Sequence, residues 1–325
     1  MTVVELVAGL LLLLGGGEAL VRGSVAVALR LGVSPLMIGL TLVGFGTSTP
    51  ELVASLRAAQ IGAPGIAIGN VVGSNIANIL LILGVSSVIL PMATTKEAFR
   101  RDGTVLVGAA VLLVLVVLLG TIERWAGAAF LVLLGAYTLF TYLTERTTHD
   151  AAARVREAET AEVAPKDMPI WLGAVLAAGG IAAVVFGADL LVGAAIELAR
   201  AAGLSEAVIG LTLVAVGTSL PEMVTSVMAA LRRHSDVAFG NILGSNVFNI
   251  LGIAGVTAVV TPIPVPMEIV RFDVWAMLAA SLLLVLFAAT GWRINRWEGA
   301  AFLAAYGAYL FVQLSPGARA SLGLA

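Results

Sequence analysis

Two carboxylates inside apolar segments are the residues with the clearest chemistry in this chain. Glu51 and Glu222 each follow a proline, in two copies of one phrase: GLTLVGFGTSTPELVASLRAA from Gly39 and GLTLVAVGTSLPEMVTSVMAA from Gly210. A carboxylate within lipid costs several kcal/mol, so an acid retained there indicates a functional site. The repeated phrase therefore predicts one such acid in each half of the molecule.

A second phrase repeats with the same spacing. GNVVGSNIANILLILGV begins at Gly69 and GNILGSNVFNILGIAGV at Gly240, and in both phrases 171 positions separate the copies. A shared offset indicates that one ancestral unit was duplicated whole. Glu18 and Asp189 obey the same offset, which favours a polar interface or a gating element over chance.

The prolines predict a break in each helix just before its glutamate. Proline lacks an N–H and its ring collides with the carbonyl four residues earlier, so we expect Pro50 to free the Gly46 carbonyl and Pro221 to free that of Gly217. Unwound backbone at membrane depth is tolerated only where it is buried in protein or lines a cavity. Carbonyls, hydroxyls and a carboxylate would then converge there, and these are the ligands of hard cations.

The second phrase supplies neutral oxygens. Residues four apart share one face of a helix, which aligns Ser74 with Asn78 and Ser245 with Asn249. Two bidentate glutamates with two backbone carbonyls would provide about six oxygens in a flexible site, which suits Ca²⁺ better than Mg²⁺. Two ionised glutamates without Ca²⁺ would be neutralised by monovalent cations or protons, so the site would alternate between ligands.

The elements that position these residues are membrane helices. Of the 325 residues, 60% are hydrophobic and 12% are charged, and the mean hydropathy is +1.05, which is too apolar for a soluble globule. The apolar runs have helix length rather than the length of barrel strands. They predict an all-α integral membrane protein with ten spans, at 3–30, 35–60, 65–91, 103–121, 124–143, 170–200, 205–231, 237–262, 272–290 and 297–314.

Five spans fall in each copy, so the predicted organisation is a first five-helix repeat (1–143), a cytoplasmic linker (144–169) and a second five-helix repeat with a short tail (170–325). The linker is too short for a separate domain. Because five is odd, the second copy enters the membrane upside down, and the repeats are inverted.

The basic residues set the orientation. Alternate loops place one group on one side: Arg22, Arg30, Lys96, Arg100, Arg101, Arg146, Arg154, Arg156, Lys166, Arg232, Arg233, Arg293 and Arg296. The other side receives Arg57, Arg124, Arg200, Arg271 and Arg319. The positive-inside rule makes the first side cytoplasmic, so we expect a multi-pass protein of the plasma (inner) membrane with both termini outside.

Several classes of function are disfavoured. The chain has no cysteine, and His149 and His234 lie near predicted loops, so thiolate or imidazole metal chemistry is not expected. An intramembrane hydrolase would need a base beside a nucleophile, which the serines lack. A passive channel is disfavoured because a doubly charged, closely wrapped site binds too tightly for fast conduction. We therefore expect no enzyme, no cofactor and no nucleic-acid partner.

The motifs GTSTPE, GTSLPE, GNVVGSNIAN and GNILGSNVFN resemble those of the cation/calcium exchanger family, specifically the prokaryotic sodium/calcium exchangers, and the resemblance covers essentially the whole chain. It implies an antiporter that exports Ca²⁺ in exchange for Na⁺ by alternating access, with the first and sixth spans moving against a fixed core. No protein partner is required. A Ca²⁺/H⁺ antiporter, in which the glutamates bind protons in place of Na⁺, is an open alternative.

The resemblance also implies ligand roles. Glu51 and Glu222 would bind Ca²⁺ with the backbone carbonyls of Thr47 and Thr218. Na⁺ would bind the hydroxyls of Ser48, Ser74, Ser219 and Ser245 and backbone oxygens near Gly44 and Ala215. The amides of Asn78 and Asn249 would complete the centre. The chain departs from the family's archaeal pattern at Asn249, where those members have an aspartate.

Overall fold

The computed structural model describes residues 2–32, 45–93, 96–148, 168–231, 235–321 and 323. Gly44, both histidines, the first part of the span predicted at 35–60 and most of the predicted linker lie outside the described residues.

Helices make up nearly all of the described chain, which confirms the all-α class. The longest are Thr2–Arg30, Thr49–Gln60, Pro64–Ile76, Lys96–Val117, Arg124–Thr148, Ile170–Ala202, Leu220–Leu231, Ser235–Phe248, Val274–Ala289 and Arg296–Leu314. Shorter helical pieces extend or connect them: Ala77–Leu83, Gly84–Ile89, Glu206–Ile209, Gly210–Val214, Ala215–Thr218, Asn249–Ile253, Ala254–Val260, Ile269–Asp273 and Pro316–Ser321.

Six of the described helices are long and apolar enough to cross a membrane, and a seventh span results if the bent pair Glu206–Thr218 and Leu220–Leu231 is counted as one. The apolar side chains on the outer faces suit a lipid environment, since Leu11 is 64% exposed and Val132 is 70% exposed. The chain is thus a multi-pass helical membrane protein, and the full count of ten spans stays a prediction.

The two helices that carry the GSN motifs lie at the centre. Of the residues in the most apolar segment of Pro64–Ile89, 94% are buried, and the share in Ala238–Val260 is 83%. The corresponding shares are only 22% in Thr2–Arg30 and 33% in Ile170–Ala202. The polar residues of the two central helices are therefore held inside protein, where each must find a polar partner or an ion.

Thr2–Arg30 and Ile170–Ala202 pack along each other through glycines. A Cβ on Gly16 would lie 2.9 Å from the Val184 nitrogen and 3.0 Å from the Gly180 carbonyl oxygen. Equivalent close contacts recur seven residues along each helix, at Gly9, Gly23, Gly173 and Gly187. Small residues bring membrane helices into this kind of backbone contact.

Among the described residues, four two-residue strands reveal a symmetry between the halves. They are Met92–Ala93 (β1), Thr121–Ile122 (β2), Ile263–Pro264 (β3) and Arg293–Ile294 (β4). β1 pairs antiparallel with β4, placing Met92 opposite Ile294, and β2 pairs with β3, placing Ile122 opposite Ile263. Met92 and Ile263 are 171 positions apart, and Ile122 and Ile294 are 172 apart, so the repeat relates one pair to the other.

Candidate cation-binding site

The residues just before both glutamates depart from regular helix, as the sequence predicts, and we call these two places the breaks: turns at 45–48 and a bend at Ser219. Thr49–Gln60 begins immediately after Ser48, with Pro50 in its first turn, where the missing N–H costs nothing. In the second copy the helix ends at Thr218 and resumes at Leu220, with a bend of 47°. Both glutamates consequently lie in the first turn of a helix.

One expectation about this break is wrong. The Gly46 carbonyl is not freed by Pro50, because it accepts a hydrogen bond of 3.1 Å from the Thr49 N–H. A turn with a shorter ring replaces the lost helical bond, as is common at helix ends. In the second copy, ordinary helical bonding continues up to the break, because the Ser219 N–H donates to the carbonyl four residues earlier, that of Ala215, at 3.1 Å.

The two breaks face each other and exchange hydrogen bonds. The Ser48 hydroxyl donates to Oε1 of Glu222 at 2.6 Å, and the Ser219 hydroxyl donates to Oε1 of Glu51 at 2.8 Å. All four residues are at most 1% exposed. The Oε2 atoms of both glutamates are buried and make no hydrogen bond.

The two central amides lie in the protein interior and have no hydrogen-bond partner. Asn78 and Asn249 are 0% exposed, and neither atom of either amide is paired. The π-helical turn Ala77–Leu83 includes the first, and the π-helical turn Asn249–Ile253 begins at the second. Such turns occur often at functional sites. Each turn packs against the Pro-Glu helix of the other repeat.

The remaining predicted ligands differ in their surroundings. The Ser74 hydroxyl lies 3.5 Å from the Ala215 carbonyl oxygen, and the Thr218 hydroxyl donates to the Val214 carbonyl at 3.0 Å. In contrast, the hydroxyls of Thr47 and Ser245 are buried and have no hydrogen-bond partner. Predicted ligand Gly44 falls outside the described residues.

Sequence reasoning missed Asn70, which connects several of these residues. Its amide nitrogen donates to the Glu51 carbonyl oxygen at 3.1 Å and to the Ser55 hydroxyl at 2.9 Å. Its amide oxygen accepts from the hydroxyls of Thr218 at 3.2 Å and Ser74 at 3.4 Å. The signal was present in the sequence, since the repeated phrases both begin with Gly-Asn.

This arrangement can bind a hard cation. Two carboxylates, several hydroxyls and two amides lie in the buried interior, and buried polar atoms without partners are costly unless a ligand satisfies them. No group of three or more His, Cys, Asp or Glu suited to a metal occurs among the described residues. The negative charge of the site therefore comes from two glutamates, and neutral oxygens would complete the shell.

A helical membrane fold around a buried oxygen site defines a cation transporter. The family model described as sodium/calcium exchanger protein matches residues 1–143 and 172–315. The chain belongs to the sodium/calcium exchanger family, a family of membrane antiporters rather than enzymes.

Relatives of known name support this membership. Sodium/calcium exchanger MaX1 of Methanosarcina acetivorans is 36% identical, over 94% of this chain and 97% of that protein. Inner membrane protein YrbG of Escherichia coli is 34% identical over 90% of each chain. A solved structure of the sodium–calcium exchanger NCX_Mj, soaked with Na⁺ and Sr²⁺, is 33% identical, with a TM-score of 0.63 over 95% of this chain and 97% of that chain.

Proposed function

We propose that this protein exports Ca²⁺ from the cytoplasm in exchange for Na⁺ that enters down its gradient. The observation that carries the proposal is the reciprocal pair of hydrogen bonds, from Ser48 to Glu222 and from Ser219 to Glu51. It joins the carboxylates of the two repeats in one buried cluster, with charge sufficient for one divalent cation. A sodium–calcium exchanger, NCX_Mj, has also been solved after soaking with Na⁺ and Ca²⁺.

In this proposal Ca²⁺ binds between the two carboxylates. The unpaired Oε2 atoms of Glu51 and Glu222 are its first ligands, since a buried anionic oxygen without a donor gains most from a cation. The carbonyls of Thr47 and Thr218 and the amide oxygens of the two central asparagines would complete the shell. After Ca²⁺ leaves, Na⁺ ions bound near four serines would neutralise the glutamates: Ser48, Ser74, Ser219 and Ser245.

An inverted arrangement of two five-helix repeats is supported by the strand pairing. β1 and β2 lie at opposite ends of the helix Lys96–Val117, and the repeat equates β1 with β3 and β2 with β4. Because β1 pairs with β4 rather than with β3, each end of the first repeat meets the opposite end of the second. The distribution of basic residues independently favours the same inversion, with both termini outside the plasma membrane.

Transport by alternating access requires one part of the molecule to move against another. The pair Thr2–Arg30 and Ile170–Ala202 suits the moving part, since its glycine contacts join the two helices along their length. The Pro-Glu helices and the central helices would then form the fixed core around the ions.

Purified protein in liposomes tests the coupling ion. We expect ⁴⁵Ca²⁺ uptake to follow an outward Na⁺ gradient when ionophores clamp the pH to the same value on both sides. Uptake should be absent when a pH gradient is imposed without Na⁺. Uptake driven by the pH gradient alone would instead favour the Ca²⁺/H⁺ antiporter, and uptake that follows voltage with no counter-ion would indicate a channel.

A further inference from the structure

Asn70 uses the whole hydrogen-bonding capacity of its side chain. An amide can donate two hydrogen bonds and accept two, and Asn70 makes all four, to Glu51, Ser55, Thr218 and Ser74, the Thr218 hydrogen being shared with the Val214 carbonyl. It is 0% exposed. The side chain thereby ties the first Pro-Glu helix and the first central helix to the second repeat.

The repeat gives Asn241, the counterpart of Asn70 that lies 171 positions later, an identical set of equivalent residues. The equivalents of Glu51, Ser55 and Ser74 are Glu222, Ser226 and Ser245, and Thr47 is the equivalent of Thr218. Every residue type is conserved between the two sets, so the second set has the chemistry to make the same four bonds.

The second set makes one bond of the four. The Asn241 amide nitrogen donates to the Ser226 hydroxyl at 3.2 Å, whereas the hydroxyls of Thr47 and Ser245 are buried without a partner. Asn241 is also only partly buried, unlike Asn70. Among the described residues, the asymmetry therefore consists of three bonds made by Asn70 and left unmade by Asn241, with the Asn–Ser bond common to both.

An asymmetry between chemically identical halves is what an alternating-access protein shows in one of its two states. We propose that Asn70 and Asn241 are alternating clasps, positioning residues that close on the ion site in opposite access states. In the opposite state Asn241 bonds the Glu222 carbonyl, Thr47 and Ser245, while Asn70 keeps only Ser55. This inference rests on the proposed function in requiring two access states.

The proposed topology assigns each clasp to a side. Asn70 lies toward the start of the helix Pro64–Ile76, on the outer side of the glutamates, and Asn241 lies on the cytoplasmic side. The structure thus has its outer clasp closed and its inner clasp open. Because the unmade bonds leave buried hydroxyls unpaired, closing the inner clasp recovers what opening the outer one costs. The two states can then be similar in free energy, as an exchanger needs.

Removing one clasp should shift the equilibrium between the two access states in one direction only. Asn70→Ala removes four bonds from the present state and one, the bond to Ser55, from the opposite state, and Asn241→Ala does the reverse. We expect the two variants to shift the ratio of the states in opposite directions, each roughly tenfold. Ser55→Ala and Ser226→Ala are the matched controls, because each removes a bond that both states share, and they should leave the ratio unchanged.

The chain has no cysteine, so Leu11→Cys and Val132→Cys, both at exposed positions, allow clean spin labelling of the moving pair and the remainder. Pulsed electron–electron double resonance in liposomes measures the distance between the two labels. The distance distribution would give the populations of the two states without any transport assay. Shifts in the same direction, or no shift in either variant, would overturn the proposal. If an alanine variant does not fold, Thr218→Val and Thr47→Val should give smaller shifts in the same opposite directions.

The same liposomes separate this inference from the proposed function. Opposite population shifts together with no Na⁺-driven Ca²⁺ uptake by the unsubstituted chain would retain the clasps and reject the exchanged ions. Normal Na⁺-driven uptake together with unmoved populations would retain the exchanger and reject the clasps.

Discussion

Ser48 and Glu222, 174 positions apart, are joined by a buried hydrogen bond of 2.6 Å that crosses from one repeat to the other. The equivalent bond from Ser219 to Glu51 crosses in the opposite direction. Each helix break therefore positions the carboxylate of the other repeat rather than its own. Any change at one break should then be felt at the opposite glutamate.

The crossed hydrogen bonds give the first prediction. A hydrogen bond to a charged group contributes about 1.5–3 kcal/mol, so Ser48→Ala should weaken the apparent affinity for Ca²⁺ roughly tenfold or more. Ser219→Ala should have an effect of similar size, because its bond is equivalent. The measurement is the Ca²⁺ concentration dependence of Na⁺-driven uptake. Ser86→Ala, at a buried serine whose hydroxyl has no hydrogen-bond partner, is the control. An unchanged affinity in both site variants would contradict the assignment.

An ion pair links the sixth predicted span to the first Pro-Glu helix. Arg57 and Asp189 are in direct contact, and each side chain is 40% exposed. Met228 occupies the position equivalent to Arg57, and Glu18, the counterpart of Asp189, pairs with Arg22 on its own helix.

Removal of one partner of this pair leaves an uncompensated charge in an apolar region. We expect Arg57→Met to lower the thermal stability in detergent more than the double variant Arg57→Met with Asp189→Leu, which removes both charges. A double variant less stable than the single one would show that the pair is not coupled. Glu18→Gln, which removes an exposed partner, should change the stability least.

The contact between Thr2–Arg30 and Ile170–Ala202 depends on individual glycines. A Cβ at Gly16 would meet backbone atoms at 3.0 Å or less, whereas one at Gly15 would meet nothing within 4 Å. We therefore expect Gly16→Ala to lower the melting temperature and slow transport, since a tight contact yields only by moving backbone. Gly15→Ala is the matched control and should resemble the unsubstituted chain. Equal behaviour of the two variants would contradict the packing.

The residue type at position 249 should affect how transport depends on pH. Its amide is buried without a partner, in a turn that packs against the helix carrying Glu51. Asn249→Asp would add a carboxyl that can exchange a proton, which asparagine cannot do. We expect Na⁺-driven Ca²⁺ uptake by the variant to depend more steeply on pH between about 5 and 8. Superimposable pH profiles would mean that position 249 is not electrostatically coupled to the ion site.

The sequence predicted the elements well because their signals are local. Apolar runs gave the sixth span at 170–200, where the helix is Ile170–Ala202, and the fifth at 124–143, where it is Arg124–Thr148. Proline and its polar neighbours gave the break before Glu222. The free Gly46 carbonyl was wrong because a turn can offer an alternative donor that the proline rule does not count.

The cross-repeat contacts could not be predicted in the same way. The exchange of serine partners, the bond between Asn70 and Thr218 and the pairing of Arg57 with Asp189 join residues more than 100 positions apart. They depend on how the two repeats are docked, which periodicity does not encode. The duplicated phrases identified which residues matter, and the fold decides which copy each of them contacts.

The central claim is that Glu51 and Glu222 together neutralise one Ca²⁺ ion. The most direct measurement is ⁴⁵Ca²⁺ binding and Na⁺-driven uptake by the variants Glu51→Gln and Glu222→Gln. As a control for folding, each variant should elute from size-exclusion chromatography at the position of the unsubstituted chain. Removing one of two formal charges leaves a divalent ion half compensated in a region of low dielectric constant. The account predicts that each variant nearly loses both binding and uptake. Near-normal uptake by either folded variant would contradict it.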